Sequence, residues 1–419
     1  MIMKKFFYIC AMAVLGFTSC DDGDPFNGQG MRPSLPGVSD AQIVEIAEAK
    51  YEPTFKELYL YWKPVSDELK ANFLGTEVTF TTHSGKPLTT NIMRDKNFPQ
   101  AYERVAIATK DLSSVIYRSI WRNEKGEQIF SDYCKLKDLG LDIKNVNIGP
   151  EETFKDMHMP EWKETNDFPG TDASNLYYQV VGNPPYSYYE NSLKTVCGAM
   201  WFNENDPYRE LGEVDCWFKK TNDPGIVAYV TGAGNTTIVC IGQEAVSNLI
   251  SRPVAEAKAE IDGVCYHELT HTMQVNNLNA GDTHNHYCFV EGGADASRHI
   301  CGGFSDSERM ARAKAAVAKA EDQTEDPKRA PHPWLEQYDP SGFFIAWLRR
   351  YDGDFWRKFN YSSQIITSGW TFEAAVKLIF ADNTTVAADI AAKDCKSDIL
   401  RGLWRVNKED VLSEQITTE

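Results

Sequence analysis

The stretch CYHELTHTMQ, residues 265–274, places His267, Glu268 and His271 within five positions of a chain that has only eight histidines. On an α-helix, residues four apart are rotated by about 400° and return to one face a turn along. His267 and His271 can therefore offer two imidazole nitrogens to a single point. Glu268 is turned about 100° from His267, beside that point rather than in line with it. Zinc binds such nitrogens at about 2.0–2.1 Å, and a hydrolytic site takes three protein ligands and keeps a position for water. The pattern predicts two zinc ligands, a carboxylate base next to them, and a third ligand elsewhere.

The segment FVEGGADASRHICGG, residues 289–303, offers that ligand. Glu291 follows His271 by twenty residues, which leaves room for the first helix to end, a loop to reverse the chain and a second helix to return a carboxylate. Asp295 shares the face of Glu291, where it can accept the second imidazole N–H of a ligand histidine and fix its tautomer. Gly292 and Gly293 have no Cβ and allow two helices to pack closely. In this reading Zn2+ is the cofactor, His267, His271 and Glu291 hold it, and Glu268 moves protons. The plain alternative is a helix with two surface histidines.

HExxH followed by ExxxD about twenty residues later is the pattern of the gluzincin metallopeptidases, the thermolysin-like enzymes included. More closely, GVCYHELTHTMQ (263–274), VEGGADASRH (290–299) and WLEQYDPSGFFIAWLRRYD (334–352) resemble the three blocks of the basic secretory protein family, a group of plant and bacterial peptidases. The strands ahead of the first block agree in order, so the resemblance covers roughly 180–400. It implies an α+β zincin-type metallopeptidase domain that hydrolyses peptide bonds. Two departures stand out: the loop from His271 to Glu291 is a few residues longer than is usual there, and this chain is acidic despite the family's name.

Peptide hydrolysis at zinc also needs a donor for the developing oxyanion, commonly a Tyr or His. Tyr338, in the third block, is the first choice and His332 the second. His284 and His286 read as surface residues and His299 as packing. In zincins an edge strand beside the metal helix pairs with extended substrate; GIVAYVTGA (225–233) or TTIVCIG (236–242) can serve.

The elements that must position these residues are legible around them. Val254, Ala257, Ile261, Val264 and Cys265 recur at helical spacing over 251–276, with Ser251 as the expected cap and Pro253 in the first turn. Strands are expected at 214–220, 225–233 and 236–242, and helices at 291–301, 307–321, 341–351 and 371–381. The second region thus reads as a sheet followed by helices. Upstream, LYLYW (58–62), TEVTFTT (76–82) and SSVIYRSIW (113–121) read as strands, with a turn at HSGKP. Several short strands in roughly eighty residues suggest an N-terminal all-β sandwich, similar in pattern to immunoglobulin-like or fibronectin-like modules. The fold class expected is therefore multidomain, with the sandwich at 41–140, a connection at 137–175 and the metallopeptidase domain at 175–410.

The first twenty residues, MIMKKFFYICAMAVLGFTSC, have the basic start and short apolar run of an export signal. Thr18-Ser19-Cys20 resembles a lipobox, which implies lipidation of Cys20, a membrane anchor and an outer-membrane lipoprotein facing the periplasm or the cell surface. Residues 21–40, rich in Gly, Pro and Asp, read as a flexible tether. Setting aside Cys10 and Cys20 leaves eight cysteines, some of which can pair in an oxidising compartment, with connectivity left open. A net charge of −17 and no block of five Lys or Arg argue against nucleic acid as a partner. The expected partner is a protein or glycoprotein substrate. The competing reading is a surface polymer- or glycoprotein-binding lipoprotein with a non-catalytic zinc domain. Glu268 argues against it, because a scaffold zinc needs no base beside it.

Overall fold

Val78 and Phe80, which alternate with threonines in the sequence, point into a core and are at most 1% exposed. They belong to a strand of nine residues in the computed structural model, which describes residues 38–413 apart from short breaks, the longest being 146–153 and 320–331. The expected export signal, Cys20, most of the tether and the turn at 83–86 lie outside the described residues.

The N-terminal region is all β. Its strands are β1 (Ile46–Glu52), β2 (Glu57–Trp62), β3 (Phe73–Thr81), β4 (Pro87–Met93), β5 (Arg104–Ala108), β6 (Ile116–Arg122), β7 (Gln128–Phe130), β8 (Cys134–Lys135) and β9 (Ile143–Asn145). One sheet runs β5-β2-β1-β9, antiparallel except for the parallel β1 and β9 pair; the other runs β4-β3-β6-β7, antiparallel, with β8 also on β6. Inward residues of both sheets, Leu58, Leu60 and Val105 from one and Val78, Phe80 and Tyr117 from the other, share one core.

A third sheet follows, built from β10 (Glu161–Asn166), β11 (Glu213–Lys219), β12 (Ala228–Ala233) and β13 (Thr236–Gly242), in the order β10-β11-β13-β12. β11 is parallel to both β10 and β13, while β12 is antiparallel and forms the edge. Helices Asp172–Val181 and Tyr186–Met200 cross from β10 to β11, as a parallel pair requires. The expected connection at 137–175 thus contains β9, β10 and the start of a helix, and two helices interrupt what read as a sheet followed by helices. YYQVVGNPPYSYY, residues 177–189, has the aromatic and β-branched content of strands and a proline break. Burial of Tyr177, Val181, Tyr189 and Leu193, each at most 3% exposed, decides for helix.

The long helix Val254–Met273 lies against β12 and β13. Ala257, Ile261, Cys265 and Leu269, four apart, form its buried stripe at 0–2% exposure. Pro253, not the expected Ser251, occupies its cap position, and no side chain caps it. Helices Tyr186–Met200 and Gly293–Ile300 pack on it, and the later helices through Ile399–Leu412 extend the same core. Trp347, Trp356, Trp370 and Trp404, all at most 2% exposed, anchor this core, and each large aromatic removes about 150–250 Å² from water.

The β region and the helical region belong to one unit, Val38–Glu419, and meet through buried charge. Glu57 on β2 receives both Arg349 and Arg357, and Arg104 on β5 pairs with Asp354 at 2.5 Å. The Gly353 N–H donates to the Ala106 carbonyl at 2.8 Å, an approach so close that a Cβ on Gly353 would sit 2.7 Å from the Ala106 carbonyl carbon. No helix among the described residues is long and apolar enough to cross a membrane. The eight described cysteines are free thiols, seven of them buried.

Candidate active site

Helical spacing brings the two histidines of the long helix together. Their rings lie 4.8 Å apart at 85° to one another, and the two Nε2 atoms are 3.1 Å apart. The opposite edge of each ring faces an acceptor. His267 Nδ1 is 2.7 Å from Asp295 Oδ1, and His271 Nδ1 is 3.2 Å from Gln274 Oε1. A proton on each Nδ1 satisfies those acceptors and leaves each Nε2 with a lone pair.

Glu291 arrives on the following element. Helix Thr283–Tyr287, the π-turn Cys288–Gly292 and helix Gly293–Ile300 run end to end, and Glu291 sits in the π-turn. Such one-turn widenings collect at functional sites because they redirect a side chain within a continuous helix. Here Glu291 Oε2 lies 3.4 Å from His267 Nε2 and 3.5 Å from His271 Nε2. His267, His271 and Glu291 form the group of side chains, among the described residues, that can hold a metal ion.

The glycines beside Glu291 allow this packing in two directions. A Cβ on Gly292 would lie 2.5 Å from the Ser341 Cβ, and one on Gly293 would lie 2.5 Å from Trp356 and 2.8 Å from Gln274 Nε2. One glycine admits the helix Tyr338–Leu348, and the other admits the end of the long helix.

The electrostatics favour positive charge at the convergence point. Burial opposes a charged His267, yet the hydrogen bonds to Asp295 and Glu291 outweigh it and push this histidine up to about 10. Burial raises Glu291 and Asp295, and the histidine partners overcome it and hold both carboxyls below their usual range. Glu268 differs: burial dominates over the nearby histidines and raises its carboxyl above the ordinary value. It is 7% exposed. A buried carboxylate with raised basicity beside two imidazoles is suited to accept a proton.

Tyr338 starts its helix 47% exposed, its ring nearly parallel to His267 at 5.8 Å and edge-on to Tyr287 at 5.5 Å. Burial, then the Glu291 charge and the Tyr287 hydrogen bond, push its phenol above the ordinary value, so it is a neutral donor near neutral pH. His332 is buried with its ring 3.4 Å from Asp398. His286 is exposed and His284 half-buried. His299 lies stacked between Phe304 and Phe343, and burial pushes it down to about 3. Two residues at the site were missed in the sequence, Gln274 and Tyr287. Gln274, three residues beyond His271, continues the helix face of the two histidines, a signal that was available.

A sheet with an antiparallel edge strand thus lies against a helix whose two histidines converge with a carboxylate returned by the next element. The family follows from comparison: the chain belongs to the BSP family, peptidases of plants and bacteria, whose profile matches residues 161–387. The match begins at β10, takes in all the site residues, and leaves the N-terminal sheets outside. No curated protein matches the chain.

Proposed function

We propose that the chain is an exported zinc-dependent endopeptidase, with a zincin-type catalytic region and an N-terminal sandwich of immunoglobulin or fibronectin type. The single observation that carries this reading is the convergence of two imidazole nitrogens and one carboxylate oxygen at 3.1, 3.4 and 3.5 Å. Ligand atoms about 2.0–2.1 Å from a tetrahedral zinc are separated by about 3.3–3.4 Å, so the donor set fits. The fit extends to charge, since a cation takes the place of the proton that His267 otherwise carries.

When bound, zinc polarises the scissile carbonyl and acidifies water. Glu268 takes a proton from the attacking water as its oxygen bonds the carbonyl carbon, and delivers that proton to the amine as the C–N bond breaks. Asp295 holds His267 in its ligating tautomer. Tyr338 leans over the site from the solvent side and donates to the oxyanion. Extended substrate adds to the free edge of β12, while β13, flanked on both sides, has no edge to offer. The sequence features at Cys20 support a lipid anchor at the outer membrane as part of the same proposal.

The test is Glu268→Gln. The variant keeps its zinc, measured by mass spectrometry of the purified protein, and loses at least about a hundredfold in turnover of a denatured protein substrate. Turnover equal to wild type removes Glu268 from the mechanism.

A further inference from the structure

Gln274 is where the long helix stops. Its backbone turns to an extended conformation (φ −66°, ψ 156°), while its N–H still bonds the Thr270 carbonyl at 2.9 Å. The side chain, in a residue 5% exposed, folds back between the two elements that carry the converging donors. The amide nitrogen donates to the Phe289 and Val290 carbonyls, both at 3.0 Å, and the amide oxygen faces His271 Nδ1 at 3.2 Å.

This arrangement has one orientation. Exchanging the amide nitrogen and oxygen would set the oxygen against two carbonyl oxygens, so the nitrogen must face the π-turn and the oxygen must face the histidine. The oxygen can only accept, so His271 carries its proton on Nδ1 and presents the Nε2 lone pair to the site. Phe289 and Val290 are the two residues before Glu291, and their carbonyls belong to the π-turn, where the regular helical pairing is displaced. Gly293 completes the fit, because any Cβ there would press on the Gln274 amide nitrogen.

We propose that Gln274 is a positioning residue for the metal centre: one amide sets the tautomer of His271 and anchors the turn that aims Glu291, and so ties two of the three ligands to each other. The inference rests on the reading that His267, His271 and Glu291 bind zinc. It differs from the role of Asp295, which reaches one ligand only. Outer partners of this kind typically change metal affinity about 10- to 100-fold when removed.

The experiment compares full-length wild type with Gln274→Met, which keeps length and burial but removes both hydrogen-bonding functions. Zinc affinity is measured by competition with a chromophoric chelator, the visible spectrum of the Co2+-loaded protein reports ligand geometry, and melting of the metal-free protein controls for folding. Gln274→Met is expected to bind zinc at least tenfold more weakly and to show an altered Co2+ spectrum, with a metal-free melting point close to wild type. Should that variant not accumulate folded, Gln274→Glu, whose carboxylate still accepts from His271 but opposes the two carbonyls, is expected to bind zinc more weakly than wild type through loss of the turn anchor alone, with an altered Co2+ spectrum. Zinc affinity within twofold of wild type and an unchanged spectrum overturn the proposal while leaving the zinc reading intact. A drop in affinity matched by an equal collapse of the metal-free fold also overturns it, by making Gln274 a fold residue. A wild-type chain that takes up no zinc sinks the zinc reading and this proposal together.

Discussion

Arg357 Nη1 lies 2.9 Å from Glu57 Oε2, with both side chains at most 2% exposed and 300 residues apart in sequence. The other carboxylate oxygen of Glu57 takes Arg349, which also donates to the Phe55 carbonyl at 2.8 Å. Arg357 reaches onward to the Gly198 carbonyl, on the helix that crosses between β10 and β11. The carboxylate of a β-region strand thus bridges two guanidinium groups of the helical region, and Asp354 supplies a second negative charge to Arg357. Removing one member of a buried pair leaves the remaining charge without compensation, at a typical cost of about 3–5 kcal/mol. Glu57→Ala is expected to lower the unfolding free energy by about that amount in urea titration, and Glu57→Gln, which keeps hydrogen-bonding capacity, by less. A Glu57→Ala protein that unfolds at the wild-type urea concentration would show that this cluster does not hold the two regions together.

The same joint shows what sequence could and could not tell. Spacing within one element was readable: the four-residue step from His267 to His271 is fixed by helix geometry whatever surrounds it, whereas the step from Glu291 to Asp295 passes from a π-turn into an α-helix. β11 was readable because its buried residues Val214, Cys216 and Phe218 alternate. Glu57 and Arg357 carry no local pattern that links them, so the contact between the β region and the helical region was invisible, and the β region read as a separate bead. The helices at 172–200 were hidden for a different reason, since their tyrosines and valines favour strands locally and only packing reverses that preference. Gln274 continues the helix face of the two histidines, but the partners that define its role lie in a π-turn, and residue periodicity does not encode where a helix widens by one residue.

Asp398 caps the final helix, accepting the Arg401 N–H at 3.0 Å, and stands 3.4 Å from the His332 ring. Burial raises its carboxyl, but the His332 hydrogen bond and the Arg401 N–H outweigh it and bring the group below its ordinary value. A depressed folded-state pKa contributes stability that is present above the unfolded value of about 3.9 and is lost as pH falls through the folded value. Asp398→Asn preserves the cap and removes the charge, with an expected cost of about 0.3–1 kcal/mol at pH 7. In paired urea titrations the gap between the two proteins should shrink from pH 7 toward pH 3. A gap that widens in acid would contradict the assigned sign.

The free edge of β12 makes the substrate-binding part of the proposal testable through a single main-chain group. The Gly242 N–H donates to the Val227 carbonyl at 2.9 Å, and the register pairs Ala228 with Ile241 and Val230 with Val239. Main-chain groups in an antiparallel pair alternate between facing the partner and facing away, so residues 229, 231 and 233 bond β13 while the Val230 N–H points outward. Proline is tolerated at such an outward edge position because the donor it removes has no partner in the sheet. Val230→Pro is therefore expected to fold and retain zinc like wild type, yet to lose one bond to an extended peptide, about 0.5–1.5 kcal/mol, or roughly a 2- to 12-fold rise in KM. Because the bond is made to substrate before and during reaction alike, kcat should change little. Tyr229→Pro serves as the contrast, since it breaks a bond to β13 and should destabilise the fold instead. An unchanged KM in a folded, metal-loaded Val230→Pro enzyme would mean that peptide does not add to this edge, and that substrate reaches Glu268 from another side.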